Sequence, residues 1–116
     1  MSEETIFHRI VRREIPAEVV YEDDDVLAFR DINPVSPTHV LVVPKKKTIP
    51  SLKDALPEDE RLLGHMLHVC STLARSLKLE ESGYRVVINS GKGAGQVVFQ
   101  LHLHLLGGRD FSWPPG

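Results

Sequence analysis

The segment from Gly95 to Gly108 alternates apolar and polar residues, and it constrains the fold more than any other feature. Successive side chains of a β-strand point to opposite faces, so the pattern predicts a strand over 97–106. A structural strand with one solvated face would more often carry Thr, Lys or Glu on its polar side. Two histidines and a glutamine there indicate a functional site. The predicted apolar face consists of Phe99, Leu101, Leu103 and Leu105, and the predicted polar face consists of Gln100, His102 and His104.

The rest of the chain predicts four more strands and two helices. The strands are expected over 17–21, 26–31, 39–43 and 83–89, because these runs are apolar and are bounded by turn residues. A short helix capped by Thr5 is predicted over 5–13, and a long helix beginning at Pro57 is predicted over 57–78. Strands joined by short turns, with one long helix crossing back, predict an α+β domain on a five-stranded, mainly antiparallel sheet.

Composition limits the classes of partner. The 116 residues form a single predicted domain, 1–116, and a net charge of −2 gives no long-range attraction for nucleic acid or anionic lipid. A single cysteine, Cys70, excludes an intrachain disulfide and fits a reducing compartment. The acidic start lacks the layout of a signal peptide. We therefore expect a cytoplasmic protein without a nucleic-acid or membrane partner.

A glycine-rich turn over 89–96 precedes the last predicted strand. Closely spaced glycines allow main-chain N–H groups to converge on an anion. A dinucleotide-binding fold would place a helix after such a turn, and here a strand follows. From the glycines alone, a flexible hairpin loop and a phosphate-binding loop both remain open. His65 and His68 lack the spacing of a zinc-protease helix and are expected to be surface or second-layer residues.

Motifs along nearly the whole chain resemble the histidine triad (HIT) family, and in particular its nucleotide-binding Hint branch. The family motif His-φ-His-φ-His-φ-φ, with φ apolar, stands here over 100–106 with Gln100 in place of the first histidine. The other matching segments are Thr5-Ile6-Phe7, Glu14-Ile15-Pro16-Ala17, Tyr21-Glu22-Asp23-Asp24, Leu27-Ala28-Phe29-Arg30-Asp31-Ile32, Pro37-Thr38-His39, Val43-Pro44-Lys45-Lys46, Leu62-Leu63-Gly64-His65, Gly83-Tyr84-Arg85 and Trp113-Pro114-Pro115-Gly116.

The resemblance implies a homodimer in which two sheets join into one of ten strands. It also implies hydrolysis of purine nucleoside phosphoramidates, such as AMP-amine or AMP-lysine compounds, without a cofactor. His102 would be the nucleophile that forms a covalent nucleotidyl-histidine, while the main-chain carbonyl of Gln100 holds the proton on its other ring nitrogen. His104 and His39 would be its catalytic partners.

The resemblance further implies which residues contact the nucleotide. Asp31 would accept hydrogen bonds from the ribose hydroxyls, and Ile32 would pack against the base. Trp113 would lie near the active site and reach the partner subunit. The full expected set is Asp31, Ile32, Asn89, Gly95, Gln96, Val97, His102, His104 and Trp113.

Two departures from the family pattern leave alternatives open. Val97 stands where this branch usually has Ser or Thr, and Gln100 cannot titrate. Valine cannot donate a hydrogen bond to the phosphate or protonate the leaving amine, whereas glutamine still donates and accepts. Turnover is therefore expected to suffer more than binding. One alternative is therefore a nucleotide-binding or interaction protein with weak or no turnover. Another, from a different class, is a zinc protein that uses His39, His102 and His104 as ligands.

Overall fold

The computed structural model describes residues 4–116, and it has the predicted α+β architecture. Five strands form one sheet in the order β1-β2-β3-β5-β4, and every neighbouring pair is antiparallel. The helices are α1 (Ile6–Val11) and α2 (Glu60–Ser76), and the strands are β1 (Val19–Glu22), β2 (Val26–Arg30), β3 (Thr38–Pro44), β4 (Tyr84–Val87) and β5 (Leu103–Gly107). Short 3₁₀ turns occupy Leu52–Asp54, Pro57–Asp59 and Lys92–Ala94.

No helix within residues 4–116 is both long enough and apolar enough to cross a bilayer.

The central strands β2 and β3 are buried on both sides of the sheet. Alternate residues of β3, such as Val40 and Val42, pack with α2 in the larger core. The intervening Leu41 and Val43 pack with Phe7 of α1 in a smaller core on the opposite face. The two helices therefore cover opposite faces, and the smaller core leaves room for a cavity under α1.

Helix α1 is short but well defined at its first turn. The hydroxyl of Thr5 accepts hydrogen bonds from the main-chain N–H groups of Phe7 and His8, and the ring of His8 accepts one from the N–H of Thr5. This cap fixes the position of Phe7, which lies at the edge of the cavity.

The last strand begins at Leu103, so the prediction of a strand over 97–106 is too long at its start. The ladder between β3 and β5 ends at the pair Val42–Leu103. Leu101 remains in the larger core, but Phe99 is 43% exposed. The predicted apolar face therefore does not extend to Phe99, because side-chain amides rather than a strand partner hold the preceding segment.

Candidate active site

A cavity of about 400 Å³ lies between α1, the end of β2 and the segment before β5. Its floor is apolar, and its polar lining residues are Arg30, Asp31, Asn33 and three histidines. The lining residues include Phe7, Ile10, Phe29, Leu41, Asp31, Ile32, Val35, His39, Val97, Val98, His102 and His104. Concave, mostly apolar cavities with a few convergent polar groups are typical of small-molecule sites.

Strand register brings the three histidines together. His39 lies on the same face of β3 as Leu41, and Leu41 is paired with His104 of β5. His102 immediately precedes β5. Ring centroids are 4.9 Å apart for His102 and His104 and 5.2 Å apart for His39 and His104. Phe7 meets the ring of His102 edge-on at 4.8 Å.

The hydrogen bond of His102 assigns its tautomer. Nδ1 lies 2.7 Å from the main-chain carbonyl oxygen of Gln100. A carbonyl only accepts, so Nδ1 must carry the proton and donate it. In the neutral ring, Nε2 is then left with a lone pair. This is the contact that the family resemblance implies between the middle histidine of the triad and the main-chain carbonyl of the first triad residue.

A second chain of hydrogen bonds assigns His39 and His104. The main-chain N–H of Val35 donates to Nδ1 of His39 at 3.2 Å, so neutral His39 carries its proton on Nε2. Nε2 of His39 lies 2.9 Å from Nδ1 of His104 and donates to it. His104 consequently carries its proton on Nε2. The trio therefore offers one lone pair, on His102, and one free N–H donor, on His104.

The environment favours the neutral form of all three rings. Burial lowers the pKa of His39, His102 and His104 below the usual histidine value. For His104 the pKa falls to about 4, because of burial first and then repulsion from a charged His102 or His39. Asp31 opposes the shift at each ring. At neutral pH a deprotonated His102 is thus available without an activating base.

Asp31 stands at the rim with unused acceptor capacity. One carboxylate oxygen accepts the N–H of Asn33 at 2.8 Å, and the other lies 3.5 Å from Nε2 of His39. The side chain is partly buried. Ile32 beside it is 85% exposed and also lines the cavity. This pair can present hydrogen-bond acceptors and an apolar surface to one ligand.

The structure places some predicted contact residues elsewhere. Gln100 does not share the cavity with the two histidines, because its side chain points to the main chain of Lys47 and Ile49. Asn89 and Gly95 do not line the cavity either. Trp113 is 82% exposed in the isolated chain and lies outside the cavity.

Gln96 was expected to line the phosphate and sugar, and its side chain is instead fully engaged within the protein. The side-chain oxygen accepts from the hydroxyl of Ser51 and from the N–H of Gly91. The side-chain nitrogen donates to the carbonyls of Pro50 and Val98. An amide has no further strong hydrogen-bonding positions to offer a ligand. Gln96 therefore anchors the glycine-rich turn, which has positive φ at Gly91 and Gly95.

Sequence reasoning missed two contributors to the site. Phe7 lies within the predicted helix and a matching family segment, and neither assigns it to the site, although its ring meets that of His102. The main-chain N–H of Val35 sets the tautomer of His39, and no side-chain pattern could reveal it.

One metal-like cluster within residues 4–116 overlaps the cavity, but its members differ from the predicted zinc set. Asp31, His39 and His104 place their ligand atoms within 4.8 Å of one another, whereas His102 is not part of the group. A zinc-bound imidazole keeps its proton on the other nitrogen. If Nε2 of His39 bound zinc, the proton would move to Nδ1, which lies 3.2 Å from the main-chain nitrogen of Val35. Two N–H donors would then face each other without an acceptor. The donor set as arranged does not fit zinc.

Comparisons with known proteins show which family this chain resembles. The HIT domain family matches residues 12–111. The purine nucleoside phosphoramidase of Escherichia coli is 49% identical over 112 residues, which are 97% of this chain and 93% of that protein. A 14 kDa zinc-binding protein of Zea mays is 51% identical over 113 residues, covering 97% and 88%. The crystal structure of a HIT family hydrolase from Legionella pneumophila superimposes with a TM-score of 0.94 at 49% identity, covering 97% of this chain and all of that one. This chain therefore belongs to the HIT domain family.

Proposed function

We propose that the protein hydrolyses purine nucleoside phosphoramidates through a covalent nucleotidyl-histidine on His102. The observation that carries this proposal is the 2.7 Å bond from Nδ1 of His102 to the carbonyl of Gln100. That bond leaves Nε2 unprotonated, next to an N–H donor on His104. A positioned nucleophile can divide one difficult displacement into two easier ones.

In the first step, Nε2 of His102 forms a bond to the α-phosphorus and the P–N bond breaks. The leaving amine takes a proton from solvent. In the second step, the oxygen of a water molecule bonds to phosphorus, the P–Nε2 bond breaks, and a proton returns to solvent. The products are the amine, the nucleoside monophosphate and neutral His102. The N–H of His104 would stabilise charge on the phosphoryl oxygens in both steps.

The remaining cavity residues would orient the substrate. Asp31 would accept hydrogen bonds from the ribose hydroxyls, and charge-assisted bonds of this kind are the stronger ones. Ile32 and the apolar floor would contact the purine. The identity to the Escherichia coli phosphoramidase supports this substrate class.

The direct test is incubation with an AMP-amine conjugate followed by intact mass measurement. We expect a transient AMP adduct on the wild-type chain and release of AMP. Absence of both adduct and product, with AMP still bound, would favour the alternative of a nucleotide-binding protein without turnover.

Zinc binding is a second candidate, because Asp31, His39 and His104 approach one another and the Zea mays relative carries a zinc-binding name. The proton assignment of His39 opposes it. Metal analysis of protein purified without added zinc would decide. One zinc per chain would overturn that assignment.

We further propose a homodimer. The sheet ends at β1 and β4, and each of these edge strands has one side without a strand partner within residues 4–116. Joining two sheets at an edge would satisfy those groups. Light scattering at micromolar concentration should give twice the chain mass, and a monomer throughout that range would contradict the proposal.

A further inference from the structure

The segment just before β5 is held by side-chain amides in place of a strand partner. Gln96 binds main-chain groups at its beginning, and Gln100 binds them near its end. In a regular ladder, main-chain carbonyls lie in the plane of the sheet and bond to the neighbouring strand. Side chains stand roughly perpendicular to that plane. The main-chain carbonyl of Gln100 instead meets the side chain of His102, two residues later. This contact therefore requires the irregular backbone before β5.

The side chain of Gln100 makes two hydrogen bonds to main-chain groups, and the next residue, Leu101, makes a third through its main-chain N–H. Its side-chain oxygen accepts the N–H of Ile49 at 3.0 Å, and its side-chain nitrogen donates to the carbonyl of Lys47 at 2.9 Å. The N–H of Leu101 donates to the carbonyl of Ile49 at 2.7 Å. Gln100 is 2% exposed. Both sides of the Gln100–Leu101 peptide are thus tied to the chain at 47–49.

We propose that the side chain of Gln100 is a positioning residue for the nucleophile. By bridging Lys47 and Ile49, it holds its own main-chain carbonyl against Nδ1 of His102 and so fixes the tautomer with a lone pair on Nε2. An effect of Gln100 on turnover rests on the proposed function, whereas its effect on the tautomer of His102 does not.

This role explains how an amide can stand at the first triad position. The bridge needs one acceptor, for the N–H of Ile49, and one donor, for the carbonyl of Lys47. A neutral imidazole has one acceptor nitrogen and one donor nitrogen, and a carboxamide has an acceptor oxygen and a donor nitrogen. The carboxamide keeps both at every pH, whereas an imidazole loses its acceptor when it is protonated. Gln100 therefore makes the bridge insensitive to acid.

Two substitutions should make the bridge depend on pH in opposite directions. Gln100→His can bridge only while the new imidazole is neutral, so the bridge should fail on acidification. Gln100→Glu has two acceptors when ionised and cannot donate to Lys47. When protonated, it regains one donor and one acceptor, so its bridge should form on acidification. Gln100→Leu should lack the bridge at every pH.

The readout is the ¹⁵N NMR spectrum of His102, which distinguishes the two neutral tautomers, recorded for each variant at pH values above the pKa of His102. We expect one tautomer in the wild type throughout, and a mixture in Gln100→Leu. The single tautomer should be lost at lower pH in Gln100→His and at higher pH in Gln100→Glu. A single unchanged tautomer in all folded variants at all pH values would overturn the proposal.

Gln96→Glu is the matched control, because Gln96 is also buried and also binds main-chain carbonyls but anchors the glycine-rich turn. It should leave the His102 tautomer unchanged. In turnover assays, kcat should fall roughly 3- to 10-fold in whichever Gln100 variant lacks the bridge, with KM nearly constant. If the wild type shows no turnover, the proposed function fails, while the NMR comparison still tests the positioning role.

Discussion

Two histidine–aspartate pairs lie on opposite sides of the sheet and differ in how completely their hydrogen-bonding groups are used. On the α2 side, Nε2 of His65 lies 2.7 Å from Oδ2 of Asp23. On the α1 side, Nε2 of His39 lies 3.5 Å from Oδ2 of Asp31. The first pair belongs to a local network, and the second borders the cavity.

The Asp23 carboxylate is saturated. It accepts from the hydroxyl of Tyr21, from the main-chain N–H groups of Asp25 and Val26, and contacts His65. Burial alone would raise the pKa of Asp23, but these hydrogen bonds outweigh it and hold the pKa well below the usual range. The pair joins the β1–β2 turn to α2, and we interpret it as structural.

The aspartate and histidines of the cavity keep free hydrogen-bonding positions, whereas the Asp23 carboxylate of the structural pair has none. Among the described residues, the Asp31 carboxylate has one main-chain donor, His102 keeps a lone pair, and His104 keeps an N–H donor. A histidine next to an aspartate is therefore not informative by itself. The unsatisfied groups, and the cavity that they face, separate a site from a structural contact.

The largest difference in turnover between the two regions is expected when the nucleophile, His102, is removed. His102→Ala should reduce phosphoramidate turnover at least ~10⁴-fold, because the covalent intermediate of the proposed reaction forms on this ring. AMP binding should change little, since Asp31 and the apolar floor supply most ground-state contacts. Steady-state kinetics and calorimetric titration measure the two effects. His65→Ala is the control, and a comparable loss of turnover there would remove the distinction between the two pairs.

The two aspartates should separate binding from stability. Asp31→Ala should weaken AMP binding about 10²-fold, because bonds to a charged group contribute ~1.5–3 kcal/mol, while binding of inorganic phosphate stays nearly constant. Asp23→Ala should instead lower the free energy of unfolding and leave AMP affinity close to wild type. Calorimetric titration and urea denaturation measure these changes. Equal losses for AMP and phosphate in Asp31→Ala would reject the ribose role.

Acid should destabilise the fold through the cavity histidines. Their pKa values are lowered in the native state, so the unfolded chain binds more protons as the pH falls below about 6.5. Stability is fully present above that pH. The part due to His104 is lost between about 6.5 and about 4, and it amounts to at most ~3.5 kcal/mol at ~1.4 kcal/mol per pKa unit.

Urea denaturation at pH 7, 6, 5 and 4 should show this loss, and His104→Gln should flatten the profile. The matched control is His68→Gln, which replaces an exposed histidine of α2 and should leave the profile unchanged. A pH profile in His104→Gln identical to that of the wild type would contradict the assignment.

The smallest effect is expected at the mouth of the cavity. Val97→Ser should raise turnover only about 2- to 10-fold, less than the ~10²–10³ of a shielded donor, because residue 97 is 86% exposed. Gln100→His should give no increase at neutral pH, since that side chain faces Lys47 and Ile49 rather than the ligand. Steady-state rates of the single and double variants measure both. A large gain from Gln100→His would contradict its position outside the cavity.

Local sequence patterns predicted much of the secondary structure and several residues of the candidate site. The alternation of residue types along β5 predicted that Leu103 and Leu105 face the core and that His104 faces the other side of the sheet, because successive side chains of a strand point to opposite faces. Helical spacing and Pro57 located the long helix, although its first turn is 3₁₀. The family resemblance, carried by motifs over nearly the whole chain, identified the histidines before their geometry was known.

Only the tertiary structure decided where the two glutamines point and where β5 begins. Gln96 and Gln100 bind main-chain groups about 50 residues earlier in the chain, and no local period encodes such contacts. The tautomers of His39 and His102 likewise depend on main-chain groups, of Val35 and Gln100. Every residue has a main-chain N–H or carbonyl, so residue types cannot show which of them meets an imidazole. The sequence thus indicated the three histidines and Asp31 of the candidate site, and the fold determined which of their atoms remain free to react.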